Sequence, residues 1–147
     1  MQRMKATGLH ARSTRFLLDT NVFIAASKSG RTRTTDLILR LIEGEEDLIA
    51  DEALIGEYRK YADALGHNGQ ILFHRLLQDV AVLEISEEAI AQCMPFFPEK
   101  AAADVLHAAT CLYVGGILIS NDRHFEKIRQ VEIIEVWTIS EAIAKLL

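Results

Sequence analysis

The chain has 147 residues, half of them apolar and a quarter charged, with two cysteines and a formal net charge of −5. These values fit one domain with a buried core and exclude a fibrous, disordered or disulfide-stapled chain; with no signal-peptide core and no run of about 18 apolar residues, a cytoplasmic protein without a membrane span is expected. The acidic balance disfavours a nucleic-acid partner unless carboxylates are gathered round cations: four of the 21 acids so engaged leave 17 against 16 bases, close to neutral.

In chain order, residues 1–14 carry Arg3, Lys5 and Arg12 with no acid and read as a basic, flexible leader ahead of a single domain over 15–147. Short apolar runs rich in Leu, Ile and Val predict strands at 15–18, 46–50, 80–85, 116–120 and 132–136. Stretches of helical period predict helices at 21–28, 34–43, 52–65, 68–78, 87–94, 99–114, 122–129 and 140–147. Gly30, Gly44, Gly66 and the pair Gly115 and Gly116 punctuate them, Pro95 and Pro98 interrupt the chain before the 99–114 helix, and Ser140 is the expected cap of the last one. The alternation predicts an α/β fold, a three-layer α/β/α sandwich with a mostly parallel sheet of about five strands. Cys93 and Cys111 lie among apolar neighbours, too far apart for a paired metal motif, and read as buried thiols.

In open parallel sheets ligands bind outside the carboxyl ends of the strands. Asp19 follows the first predicted strand, Asp51 ends the second and Asp122 follows the fourth, so three carboxylates converge on one rim. Asp104 lies inside the Ala-rich "AAADVLHAAT", where Asp has poor helix propensity and, in a helix over 99–114, no capping role. Carboxylates brought within a few ångströms either raise one another's pKa or recruit cations. Oxygen ligands suit Mg²⁺ or Mn²⁺, which keep waters and bind phosphate oxygens, so phosphodiester chemistry is expected at this rim.

Four stretches, "FLLDTNVFIAA", "ADEALIGEYRKY", "ADVLHAATCLYVGGILISNDRHF" and "VEIIEVWTISEAI", resemble the PIN-domain family of metal-dependent ribonucleases, and within it the VapC-like toxins of bacterial and archaeal toxin–antitoxin pairs. With their spacing they cover nearly everything from residue 16 onward. The resemblance implies a PIN-like fold and places the family's acidic quartet, catalytic and metal-holding, on Asp19, Glu57, Asp104 and Asp122. Ser120 takes the supporting hydroxyl position, where Thr is more usual, and Asn21 lies beside the first acid. The resemblance further implies Mg²⁺ or Mn²⁺ as cofactor, RNA as substrate, a homodimer, and a small antitoxin that inhibits by reaching into the acidic site. Glu57 comes from the resemblance; the residues alone would equally choose Asp51, to which the ordinary work of a helix cap is then given.

Arg123 and His124, near the rim, and Lys28, Arg31 and Arg33, after the helix that Asp19 introduces, are candidate contacts for RNA phosphates. His107, one turn beyond Asp104, reads as a packed or surface histidine, with a place in the site as the alternative. Phe125 and Trp137 read as structural, and Leu37, Ile38, Leu41 and Ile42 as core or interface. The rival functions are a stand-alone RNA-processing nuclease, a catalytically silent PIN module that binds RNA or protein, and a phospho-acceptor signalling domain. The silent module should have lost a site acid, and none of the four is lost. The signalling domain wants an Asp after its middle strand, where the sequence has Ser86, Glu87 and Glu88.

Overall fold

The computed structural model describes Leu9 and residues 13–28 and 30–147; the leader expected over 1–14 lies outside them except for Leu9, Ser13 and Thr14. Five short apolar segments form the strands β1 (Arg15–Leu18), β2 (Asp47–Ala50), β3 (Val80–Val82), β4 (Ile117–Ile119) and β5 (Glu135–Trp137). All pair in parallel, in the order β3-β2-β1-β4-β5, with Phe16 in register with Leu48 on one side and Ile117 on the other. Every residue of β2, β3 and β4 is buried, the state of strands covered on both faces.

The connections are the helices α1 (Thr20–Ser27), α2 (Arg33–Glu43), α3 (Glu52–Asp79), α4 (Glu87–Cys93), α5 (Ala102–Val114) and α6 (Glu126–Gln130), and the chain closes with α7 (Ile139–Leu146). Right-handed crossovers put α1, α2 and α3 on one face of the sheet and α4, α5 and α6 on the other, and α7 returns to pack on α2. The result is the expected three-layer sandwich. Its core runs from Phe16, Leu17 and Leu18 of the central strand to Phe23 and Tyr58, whose rings lie 5.2 Å apart and whose hydroxyl, from Tyr58, donates to the Leu18 carbonyl.

Two glycines set the helix lengths. Gly66, at φ 74°, breaks α3 into the two helices that the sequence predicts. Gly115, at φ 69°, ends α5 in the left-handed conformation and donates its N–H to the Cys111 carbonyl. Nothing lies within 4 Å of the place a Cβ would occupy at Gly115, so the whole cost of a side chain there is backbone strain. Gly115→Ala is therefore expected to lower stability by about 1–2 kcal/mol, read from urea unfolding.

The structure moves several predicted boundaries: the strand expected at 80–85 ends at Val82, and the helix expected at 122–129 opens with a 3-10 turn and becomes α-helical at Glu126. The strand expected at 132–136 begins only at Glu135, because Glu132 takes a left-handed φ of 58° and closes a turn after α6. The last helix is capped by Thr138, not Ser140: Thr138 and Glu141 form a reciprocal capping box through hydrogen bonds of 3.1 and 2.8 Å. The helix expected at 99–114 starts at Ala102, since Ala101 is non-helical and its N–H turns back to the Pro98 carbonyl.

The sheet order reverses between β1 and β4, and such a switch point opens a crevice at the carboxyl ends of the strands. The order also differs from the 2-1-3-4-5 of flavodoxin-like signalling domains. Here β3 is an edge strand, which removes the phospho-acceptor reading.

Candidate metal centre

The crevice between β1 and β4 collects acids because two of them lie where a strand hands over to a helix and a third comes from the start of a helix on the opposite face. Asp19 leaves β1 and caps α1, its Oδ1 accepting the Thr20 N–H at 2.8 Å. Asp122 follows β4 and caps a short 3-10 turn by accepting the His124 N–H at 2.9 Å. Asp104 arrives from the opposite face in the first turn of α5, where a negative charge is favoured by the helix dipole. The later start of that helix thus corrects the interior position expected for Asp104 and gives it an ordinary local reason to exist.

Ser120 ties the two strand ends together. Its hydroxyl donates to Asp19 Oδ2 at 2.6 Å and accepts the Asp122 N–H at 2.9 Å and Asn21 Nδ2 at 3.3 Å. One hydroxyl thereby fixes the first acid against the last.

A second network lies beneath. Asp51, almost wholly buried, caps α3 by accepting the Leu54 N–H at 2.8 Å on Oδ1. Its Oδ2 faces His107 Nδ1 at 2.8 Å and Thr110 Oγ1 at 3.1 Å. The other ring nitrogen, Nε2, lies 2.9 Å from Glu57 Oε1, which also accepts the Thr20 hydroxyl at 2.9 Å. Carboxylates only accept, so both nitrogens of His107 carry protons. Burial opposes that charge, yet the hydrogen bonds to Asp51 and Glu57 and the charges of Asp51 and Asp19 outweigh it, and the His107 pKa is pushed up to about 10. Glu57 is held below its usual range: burial works the other way, but the hydrogen bond and charge of His107 and the Thr20 hydroxyl prevail.

Asp19 and Asp104 behave differently. Burial pushes the Asp19 carboxyl up, against the hydrogen bond from Ser120, and the charge of Asp104 adds to the rise. Asp104 is also pushed up, by burial first and by the charge of Asp122, although His124 Nδ1 donates to its Oδ2 at 2.7 Å. Two carboxylates raised by burial and by a neighbouring acid, against the charge of His107, mark a site with negative charge in excess.

A family model for the PIN domain matches residues 16–131. The chain belongs to the PIN-domain family. Among solved structures, VapBC2 from Rickettsia felis, bound to a DNA fragment from its promoter, matches this PIN domain with a TM-score of 0.63 at 12% identity, covering 85% of this chain and 98% of that one. FitAcB from Neisseria gonorrhoeae matches with a TM-score of 0.61 at 21% identity over 85% of this chain and 98% of that one. PAE2754 from Pyrobaculum aerophilum matches with a TM-score of 0.60 at 15% identity over 90% and 89%. At these identities the likeness concerns the fold. No curated protein matches the sequence significantly.

The donor set of this PIN domain fits a divalent cation. Ligand atoms of Asp104 lie within 4.8 Å of those of Asp19 and His107 on one side and of Asp122 and His124 on the other. His107 has no free nitrogen to offer while it holds Asp51 and Glu57, so the donors near Asp19 are oxygens, the choice of hard ions. Glu57 keeps Oε1 for Thr20 and His107 and has no partner for Oε2 among the described residues.

The other sequence candidates lie at different distances from this centre. Arg123 is exposed beside Asp122. Lys28, Arg31 and Arg33 come after α1, whose eight residues lead about 12 Å away from Asp19, and Arg31 pairs with Asp36 at 2.5 Å. Sequence reasoning missed Thr20, although it adjoins Asp19, and left His107 among packed residues; its burial is complete, but its partners are carboxylates. The one signal was its place a turn beyond Asp104.

Proposed function

We propose that this PIN domain is a Mg²⁺- or Mn²⁺-dependent endoribonuclease and the toxin of a VapC-like toxin–antitoxin pair. The observation that carries the reading is the convergence of Asp19 and Asp122 on Asp104 at the switch point of a PIN fold, with Asp19 and Asp104 each raised by burial and by a neighbouring acid. Asp19, Glu57, Asp104 and Asp122 hold the metal, and Ser120 and Asn21 keep Asp19 and Asp122 in place. A divalent ion bound there supplies the acidity that lets water attack a phosphodiester and neutralises charge on the departing oxygen. The acids do the binding, no side chain is needed as a nucleophile, and their charge would repel the RNA backbone if left uncompensated.

Arg123 and His124 at the rim, and Lys28, Arg31 and Arg33 beyond α1, contact RNA phosphates in this reading. An antitoxin partner is supported by neighbours that are themselves VapBC and FitAB complexes, and the active assembly is a homodimer. No helix among the described residues is long and apolar enough to cross a membrane, which accords with a cytoplasmic nuclease.

Labelled single-stranded and looped RNAs incubated with the purified chain test the activity. Cutting with Mn²⁺ or Mg²⁺ and none in EDTA is expected; cutting that survives EDTA contradicts the reading, and metal uptake without cutting of any RNA favours the silent binding module. Ser120→Ala, which removes the link between Asp19 and Asp122, is expected to weaken Mn²⁺ binding by about 10–100-fold in calorimetry, whereas Ser120→Thr keeps the hydroxyl and the affinity.

A further inference from the structure

His107 is the only described histidine with no exposed surface, and it spends both ring nitrogens on carboxylates that arrive from one helix: Asp51 at the cap of α3 and Glu57 in its second turn. His107 itself stands on α5, one turn beyond Asp104. It therefore joins the two helices that carry Glu57 and Asp104 from opposite faces of the sheet. Thr110 Oγ1, one turn further along α5, shares its single proton between the same Asp51 oxygen at 3.1 Å and the Leu106 carbonyl at 2.7 Å, and the Leu54 N–H donates to the other Asp51 oxygen, so both oxygens at the Asp51 end of the bridge are held. At the other end the Glu57 carboxylate is pinned through Oε1 alone, by His107 and by the Thr20 hydroxyl.

We propose that His107 is a positioning residue for Glu57: anchored on Asp51, its ring holds Oε1 and so presents Oε2 of Glu57 to the metal. The assignment rests on the metal-site reading above and adds a residue that touches neither ion nor RNA. Three features separate it from a histidine that merely fills the core. Its contacts are polar at both nitrogens, its partner Glu57 is 34% exposed, and the Thr20 hydroxyl that shares Oε1 comes from the residue directly after Asp19. A side chain serving packing alone would leave Glu57 to rotate about its own stem.

A double-mutant cycle read by Mn²⁺ calorimetry tests the proposal, with the fold of each variant followed by circular dichroism. His107→Gln is expected to weaken Mn²⁺ binding by about 10–100-fold in the wild-type background. In a Glu57→Gln background the same change is expected to do almost nothing, because the group it positions is gone. Equal losses in both backgrounds, or no loss in the first, overturn the proposal. If His107→Gln does not fold, the wild-type chain answers instead: added Mg²⁺ should shift the His107 Nε2 resonance in a long-range proton–nitrogen spectrum while moving Nδ1 less. An unmoved Nε2, in a chain whose Mn²⁺ affinity falls on Glu57→Gln, overturns the proposal as well. A wild-type chain that takes up no Mn²⁺ at all fails differently, since it removes the metal site itself.

Discussion

Asp104→Asn is expected to lower metal-dependent RNA cleavage by about 10³-fold or more while leaving the metal-free fold as stable as the wild type, or more so. The loss follows from the several kcal/mol of charge stabilisation that a divalent ion supplies at a transferring phosphate, with each 1.36 kcal/mol worth a factor of ten. The stability follows from the apo site. Burial and the neighbouring charge of Asp122 push the Asp104 carboxyl up, so its negative charge is unwelcome without a cation. The partner it gives up, His124, is half-exposed, and such pairs contribute little. In Mn²⁺ at 100 times its dissociation constant the wild type gains about 2.7 kcal/mol by mass action, and the variant does not. In thermal unfolding the variant should thus match or exceed the wild type in EDTA and fall below it in Mn²⁺. The same ranking in both conditions would remove Asp104 from the metal centre.

The second large effect concerns His107. Replacing it by Ala leaves Asp51 buried with its charge partner gone, and breaking a buried pair from one side costs about 3–5 kcal/mol, roughly 10–15 °C in melting temperature for a domain of this size. The pH dependence has a definite sign. The ring titrates near 6.5 in the unfolded chain but at about 10 in the folded one, so between those values the folded state holds a proton that the unfolded state has released. This contribution is complete below about pH 6.5 and is lost as the pH rises towards 10. The metal-free wild type should therefore lose stability from pH 6.5 to pH 8.5 in urea unfolding. His124 is raised too, by its hydrogen bond to Asp104, and acts in the same direction. The difference between wild type and His107→Gln isolates the buried ring, and a difference that does not narrow with pH would contradict the bridge.

Much of this was legible in the residues. Apolar runs separated by helical periods gave a parallel sandwich, because strands covered on both faces must be apolar throughout. Acids placed just after such runs could only lie at one rim. What stayed hidden depends on contacts between distant segments. Nothing in "EIIEV" says that Glu132 turns the chain and that pairing begins three residues later. Nothing before Ala102 announces that the helix starts late enough to put Asp104 in its first turn, since Ala101 has the highest helix propensity and is nonetheless non-helical. The choice between Asp51 and Glu57 was undecidable from spacing, because both share a helix start. In the fold the two are joined through a histidine 50 residues beyond Glu57, with Asp51 almost wholly buried and Glu57 partly exposed, outside the two groups of acids that meet at Asp104.

The most direct test of the metal centre is Mn²⁺ binding itself, followed through the loss of the free-ion signal in electron paramagnetic resonance. The wild-type chain is titrated beside Asp19→Asn and Asp104→Asn. Saturable binding by the wild type, weakened at least 100-fold in each variant, is the result expected of ligands that face one ion. Equal affinity in all three chains would show that the acids at the β1 and β4 ends do not hold the metal.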